Sequence, residues 1–470
     1  MREKLYVGPK VRLLRERHGL TLESCSQRLG MSPSYLSQIE TNQRPVTARV
    51  LIALARTFDI DPAEFDVDQE DRLIADLKEA SADLRLGPSA PSFAEIKLAA
   101  ATTPVLARQF LLLHQAYRSL EQRLSTLDEK LAIDHPDATN ATLPYEEVRD
   151  FFHYRDNYIH ELDVAAEALA TRYGLGVGGN STSQLERLLS DLHGVTVSRE
   201  NLTASGLLRR YDPQRKQLTI DGDLSEPTAV FQLATQLCEL TFADEIPQIL
   251  ADSGLKSPAA RSIAAVGLAN YAAGALLMPY GQFAATAREL RHDIEQLQRR
   301  FHASFEQICH RLGTLQRPGA RGVPFYFVRV DPAGNITKRH SATRFQFARF
   351  GGACPLWNVH EAFGHPGRIL VQLAEMPDGV RYLCIGRAIV KRSGSFLKPN
   401  RHFAIGLGCE IAHASQLVYA DGLSLSGPAA RIGVSCRICE RVDCAQRAFP
   451  PVDRNIRVPE HERRLVPYVF

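Results

Sequence analysis

The sequence has almost no imbalance of charge: 56 Lys and Arg stand against 53 Asp and Glu, a formal net charge of +3. So small an excess names no partner, and a nucleic-acid site would have to be a local basic face. Long runs of large aliphatic residues are also missing. The one uncharged stretch of membrane length, Ser262–Ala287, is rich in Ala and Gly and carries Asn270, Pro279 and Gln282, which predicts a buried helix and no bilayer span. Met1-Arg2-Glu3-Lys4 leads into the charged segment Lys10–His18 with no secretory signal, so a soluble cytoplasmic protein is expected. Internal repeats and low-complexity tracts are absent, and there is a single tryptophan. The nine cysteines are an odd number, and six of them (Cys354, Cys384, Cys409, Cys436, Cys439, Cys444) fall in the last third. A small secreted disulfide scaffold does not look like this; late clustering in a large chain points to a metal or cluster site in a reducing compartment.

What is present is ordinary globular composition, 44% apolar and 23% charged, over 470 residues. That length exceeds one core and implies roughly two to four domains. Residues 1–66 show short helical patterns with tight breaks, and 67–100 are charged and then small and Pro-containing. From Thr103 to Tyr173 the pattern is helical, with Glu146–Arg172 as one long amphipathic candidate. Strand-like runs follow at Val195–Ser198 and Gln217–Asp221, then helices near 227–242 and 258–278. Further strand-like runs come at Phe325–Val330, Arg344–Phe350 and Tyr382–Ala388. The expected fold is multidomain: an all-α head at 8–66, a helical linker at 67–143, an α+β domain at 144–310 and a Cys-rich α+β domain at 311–470.

Within the head, Thr21 can cap a helix with Leu22, Cys25 and Leu29 on its apolar face, and Gly30 can end it in a left-handed conformation. Ser32 then starts a second helix with Pro33 in its first turn, and Leu36 and Ile39 face back. Ser26 is small, four residues before Gly30 and ten before Leu36, so the two helices can approach closely. This is a helix-turn-helix spacing, and Val11–Ile60 resembles the Cro/repressor (Xre-type) family. The resemblance implies that the second helix enters the major groove of operator DNA, presenting Ser32, Ser34, Tyr35, Ser37 and Gln38, with Gln38 suited to an adenine edge. Arg44, with Arg12, Arg15 and Arg49, is a candidate for phosphate contact.

Phe231–Glu239 and Ala269–Pro279 together resemble the ImmA/IrrE peptidase domain, in which a helix bearing H-E-x-x-H precedes an E-A-N-x-F-A-x-x-L-L-M-P helix. A zincin needs two His at i and i+4 with a Glu between them. Here Thr235, Gln236 and Glu239 hold those positions, and Val266, Gly267 and Leu268 stand where the acidic third ligand would precede Ala269-Asn270. A retained zincin-like frame with no catalytic residues is expected.

Cys436, Cys439 and Cys444 form C-x2-C-x4-C among Arg437, Arg441 and Arg447. A C-x-x-C turn aims two thiolates at one metal, and a third and fourth complete a tetrahedral or cubane site. Nearby guanidinium groups would stabilise an anionic [4Fe–4S] cluster; zinc is the alternative, although its structural sites more often pair two C-x-x-C knuckles. Cys354 and Cys409 compete for the fourth place, and Cys409 is preferred. Cys25, Cys238, Cys309 and Cys384 fall on apolar patterns and read as core residues.

In this order the segments resemble the short-chain fatty acyl-CoA regulators, a group that includes mycobacterial regulators of propionate and glyoxylate metabolism. The residues that carry the likeness most strongly are Ser32–Leu36, Leu315–Gly322 and Cys436–Pro450. The resemblance implies a DNA-binding regulator, not an enzyme, that acts on genes of acyl-CoA catabolism. Its partners would be double-stranded operator DNA, a short-chain acyl-CoA effector, and a second copy in a homodimer. The residues that would bind the effector are not legible; Arg155, Arg209 and Arg210 are candidate phosphate partners. A redox or nitric-oxide sensor whose cluster is itself the switch is the alternative.

Overall fold

The computed structural model describes residues 7–58, 67–81, 91–131, 144–178, 180–202, 205–343, 345, 347, 353–394, 396–397, 399–436, 439–451 and 454–470. They form two compact units: Met1–Ala138 with Pro451–Arg457 and Phe470, and Thr139–Pro450 with Val458–Val469.

The first unit opens with four helices, α1 (Gly8–Arg17), α2 (Leu22–Arg28), α3 (Pro33–Glu40) and α4 (Ala48–Phe58). Thr21 caps α2 by accepting the Ser24 N–H, and Ser32 caps α3 by accepting that of Tyr35. Gly30 takes φ +66° in the turn between them, a conformation that costs glycine nothing. Val11, Cys25, Leu36, Ile39, Val50 and Leu54 close a common core. Ser26 is fully buried and donates to the Glu23 carbonyl, so the helices approach over a side chain whose only polar atom is satisfied.

Within 67–143, expected as a helical linker, the described residues form three helices that share a core of their own. These are α5 (Val67–Ser81), α6 (Phe93–Thr102) and α7 (Pro104–Leu131), and Leu73, Ile74, Leu77, Ile96, Ala100, Ala107 and Leu111 pack between them. A capping box of Ser92 and Glu95 starts α6.

In the second unit the expected single helix 146–172 is two, α8 (Pro144–His153) and α9 (His160–Tyr173). Asp156 and Asn157 both take left-handed backbone, at φ 52° and 56°, and break it. Apolar periodicity ran through the break because both halves face one core. There follow α10 (Thr182–His193) and a three-stranded sheet in the order β1 (Thr196–Glu200), β3 (Gln217–Asp221), β2 (Arg209–Asp212). Next come α11 (Glu226–Thr241), α12 (Glu245–Ala251) and α13 (Pro258–Leu277). By length and hydropathy α13 could cross a membrane, but Ala260, Ala264, Leu268, Ala272 and Leu276 are buried against α9 and α11, as the Ala-rich composition predicted.

Three short helices, α14 (Tyr280–Glu289), α15 (Ile294–Phe301) and α16 (Phe305–Leu312), lead to a six-stranded sheet. Its strands are β4 (Tyr326–Val330), β5 (Ile336–Ser341), β6 (Leu370–Glu375), β7 (Arg381–Lys391), β8 (Arg401–Glu410) and β9 (Ala430–Arg431), in the order β5-β4-β8-β7-β6-β9. Of the expected strand Arg344–Phe350, most lies outside the described residues, and Phe345 and Phe347 are not in a strand. The core crosses the 310/311 boundary without a break: Phe283, Leu297 and Ile308 pack with Phe325, Ile385 and Ile405.

The motif Leu315–Gly322 ties these layers together. Arg317 donates to Asp163 at 3.0 Å, to Glu167 at 2.7 Å and to the Tyr158 hydroxyl at 3.0 Å, with its guanidinium 4.1 Å from the Tyr280 ring centre. Buried Arg311 donates to the same Asp163 at 2.6 Å, and Tyr271 donates to it at 2.7 Å. Burial alone would raise the Asp163 carboxyl; the two arginines and the Tyr271 hydroxyl outweigh it and hold Asp163 below the usual carboxylate range. A buried charge pair of this kind stabilises only because every polar atom has a partner.

Candidate functional site

The outward side of α3 presents Ser32 and Ser34 exposed and Ser37 and Gln38 half-buried. Ser32 is already spent as the helix cap, and Tyr35 leans on the helix-turn-helix core. The exposed Arg44 places its guanidinium 5.5 Å from the Tyr35 ring centre. Arg49 is exposed, and Arg12 pairs at the surface with Glu16. Arg15 is a correction: it is bound at 2.7 Å to the buried Glu40 and also to the Leu20 carbonyl, so it braces α1 on α3 and is not available to a phosphate. Ser34, Ser37 and Gln38 along one side of α3, with the Arg44 cation beyond its end, suit base edges flanked by a phosphate contact.

In the zincin-like frame, β2 carries Arg209 across the face of α11. Its guanidinium donates to Glu239 at 2.6 and 3.1 Å and contacts Gln236, while Thr235 turns back to the Phe231 carbonyl at 2.8 Å. A fixed cation therefore lies against the positions that would have held zinc, and one carboxylate without histidine could not hold the metal in any case. This also removes Arg209 from the candidate phosphate partners. Arg155 lies over the Phe151 ring at 4.1 Å, and Arg210 is exposed on β2.

The cysteines divide differently from expectation. Cys436, Cys439 and Cys444 border one small cavity, and the fourth cysteine on it is Cys354, not Cys409. Cys409 is fully buried on β8, opposite Leu383 and beside Cys384, in the apolar core under α15 and α16; burial pushes its thiol up. The strand buries both of its faces, so the Leu407–Glu410 context that drew attention to Cys409 is the pattern of an interior strand. The signal that favoured Cys354 was also in the sequence: Cys354-Pro355 begins a tight turn in which the Trp357 N–H bonds the Cys354 carbonyl at 3.1 Å.

Burial raises the Cys354 thiol, and the N–H groups of Leu356 and Gly433, which point at its sulfur, pull in the opposite sense and favour the thiolate. Arg447 clamps the loop by donating to the carbonyls of Cys436 and Cys439 at 2.9 and 3.0 Å. Arg441 holds the carbonyls of Ile432 and Glu375, and Arg431 pairs with Asp443; Arg437 lies outside the described residues. Among the described residues no three His, Cys, Asp or Glu side chains already converge at ligand distance. By number and softness, four thiols on one cavity rimmed by guanidinium groups fit an anionic iron–sulfur cluster.

Three family models match in succession: a helix-turn-helix at residues 11–65, an IrrE N-terminal-like domain at 191–313, and the C-terminal domain of the short-chain fatty acyl coenzyme A regulators at 314–468. A propionyl-CoA carboxylase regulator of Cereibacter sphaeroides is 48% identical over 100% of this chain and 99% of its own. The HTH-type transcriptional regulators RamB and PrpR of Mycobacterium tuberculosis are 43% and 42% identical, each over 99% of this chain and over 99% and 96% of their own. The chain belongs to the short-chain fatty acyl-coenzyme A regulator family. A solved structure described as a Mycobacterium tuberculosis transcriptional regulator matches with TM-score 0.67 and 47% identity, over 70% of this chain and 100% of that one. The relatives are named as regulators, RamB and PrpR as transcriptional ones, and not as enzymes, in keeping with Arg209 against the vacated ligand positions of α11.

Proposed function

We propose that this regulator binds operator DNA as a homodimer in the cytoplasm, controls genes of short-chain acyl-CoA metabolism in response to an acyl-CoA, and carries a [4Fe–4S] cluster on Cys354, Cys436, Cys439 and Cys444. The observation that carries the cluster is the gathering of these four cysteines from two distant segments around one cavity, with Arg441 and Arg447 beside it. The acyl-CoA effector is supported by the C-terminal family match and by the name of the 48%-identical relative. A bound cluster would cross-link the turn at Cys354 to the loop after β9, so its binding free energy would add to the folding of that region.

The test is anaerobic purification, with iron and sulfide counted and the native mass measured. Operator affinity is then titrated with propionyl-CoA and, separately, with free coenzyme A. Brown protein whose affinity responds to the acyl-CoA supports the reading, and zinc in place of iron would replace the cofactor. Cys436 and Cys444 are half-exposed, which favours a second reading in which solvent-borne oxidants or nitric oxide reach the cluster. Affinity that responds to those and ignores every acyl-CoA would select it.

A further inference from the structure

Helix α7 is apolar on two sides, and among the described residues of its own unit only one of them is covered. Ala107 and Leu111 are buried with α5 and α6, and His114, Gln115 and Ser119 lie along the same covered side. Opposite them, Val105, Leu106, Leu112, Leu113, Tyr117 and Leu120 are 59, 67, 48, 70, 42 and 47% exposed, and Leu98 on α6 is 61% exposed. Between Pro104 and Leu120 the only Lys, Arg, Asp or Glu residues are Arg108 and Arg118. A helix with so little polar surface is stable in water only when both sides are covered.

The exposed side has a definite period. Leu106, Leu113 and Leu120 recur every seven residues and Tyr117 takes an intervening position; Phe110, at the equivalent position one heptad earlier, sits at the edge and packs partly on the covered side. The same spacing continues along the sequence at Leu124, Leu127 and Leu131. That is the 3.5-residue repeat of a seam made to meet another helix of the same repeat. The side chains named above present roughly 700 Å² of surface per copy, near the ~800 Å² per partner of a stable interface and above the ~300–600 Å² patch of an ordinary monomer. A two-fold axis brings each seam onto itself, so a second copy is the partner whose shape needs no further assumption. The seam is also joined to the DNA-reading head, since α6 packs on α1 within the same unit.

We propose that the outer face of α6 and α7, centred on Leu106, Leu113 and Leu120, is the homodimer interface that pairs two helix-turn-helix heads. The pairing of half-sites rests on the DNA-binding reading above; the self-association does not. The test uses the full-length protein with Leu106→Lys and Leu113→Lys together. Both side chains are largely exposed, so the change leaves the chain's own packing alone. Sedimentation should show a dimer for the parent and self-association weaker by on the order of a hundredfold for the variant, with unchanged helix content. Affinity for a two-half-site operator should fall at least tenfold while binding to an isolated half-site persists.

A variant that stays dimeric overturns the interface and leaves the DNA reading intact, and a parent that is monomeric at micromolar concentration overturns both surface and dimer. Loss of dimer with no duplex bound by either protein keeps the interface and overturns the DNA reading. α6 and α7, bent by 115° at their junction, are together apolar enough to engage a membrane. Parent protein that floats with anionic phospholipid vesicles, and variant that does not, would assign the face to lipid. If the variant fails to fold, a photo-crosslinking residue at position 113 decides: an adduct to α7 of a second copy supports the proposal, and adducts elsewhere overturn it.

Discussion

Gly433 is the floor on which Cys439 rests: a β-carbon added at Gly433 would stand 2.9 Å from the Cys439 sulfur. No real β-carbon sits that close, so any larger residue must displace the Cys439 side chain and take its sulfur from its place on the cavity. Gly433→Ala should therefore lose most of the anaerobically bound iron. The chain should still fold, because Arg447 continues to clamp the loop carbonyls. Iron per chain equal to that of the parent would show that the loop has room to give.

The fourth ligand is decided by a pair of variants. Cys354→Ser should abolish the visible absorption of the anaerobic protein. Cys409→Ser should keep it and instead lower the unfolding free energy measured in urea by about 1–2 kcal/mol, the cost of placing a hydroxyl in the apolar core around β8. Colour lost in Cys409→Ser and kept in Cys354→Ser would restore the assignment expected from the sequence.

The contrast between those two cysteines shows where sequence reading runs out. Thr21, Gly30, Ser32 and Pro33 announced α2 and α3 because caps and turns are local chemistry, and each does what its type predicts. The vacated zinc positions were legible for the same reason: Thr235, Gln236 and Glu239 lie within one helix at fixed spacing. Cys354 and Cys436 are some eighty residues apart, and their segments meet on β6, where Gln372 donates to the Leu356 carbonyl and β9 pairs with Ala374 and Glu375. Arg209 over Glu239, and Arg317 on Asp163, are likewise contacts between elements that no local pattern encodes.

Acid should destabilise the second unit in two stages. His340 is buried in β5, stacked on Phe327 with ring centres 4.8 Å apart. Burial, with the Lys338 charge and His153 in support, holds it down at about 3. An unfolded histidine takes up its proton near ~6.5. The neutral form's stabilisation is therefore fully present above that value and is lost as pH falls toward 3, by up to about 1.4 kcal/mol per pH unit. Asp163, whose folded carboxyl is held low, adds a further loss below the ordinary carboxylate range, ~4. His340→Leu should make the pH 4–6.5 limb of the urea midpoint shallower, with His310, whose ring centre lies 4.7 Å from that of His340 and which burial also holds low, supplying the rest of it, and should leave the fall at lower pH. An unchanged limb would mean that His340 protonates freely in the folded protein.

Three substitutions separate the side chains that read DNA from the arginine that holds the reader together. Gln38 sits half-buried on α3 and carries the amide expected at an adenine edge, so Gln38→Ala should cost roughly 1–3 kcal/mol of operator affinity and relax preference at one base pair. Arg44 is exposed beside the end of α3, and Arg44→Ala should weaken binding to all duplexes alike and lower the slope of log affinity against log salt by about one. Arg15→Ala should act in a third way. Glu40 would be left buried without its cation, lowering the stability of the head by about 1–3 kcal/mol. DNA binding would then fall only as far as the folded fraction does. Parallel measurements of head stability and duplex affinity across a salt series distinguish the three. An Arg15→Ala protein that folds as the parent does but loses one unit of salt slope would return Arg15 to the phosphate contacts.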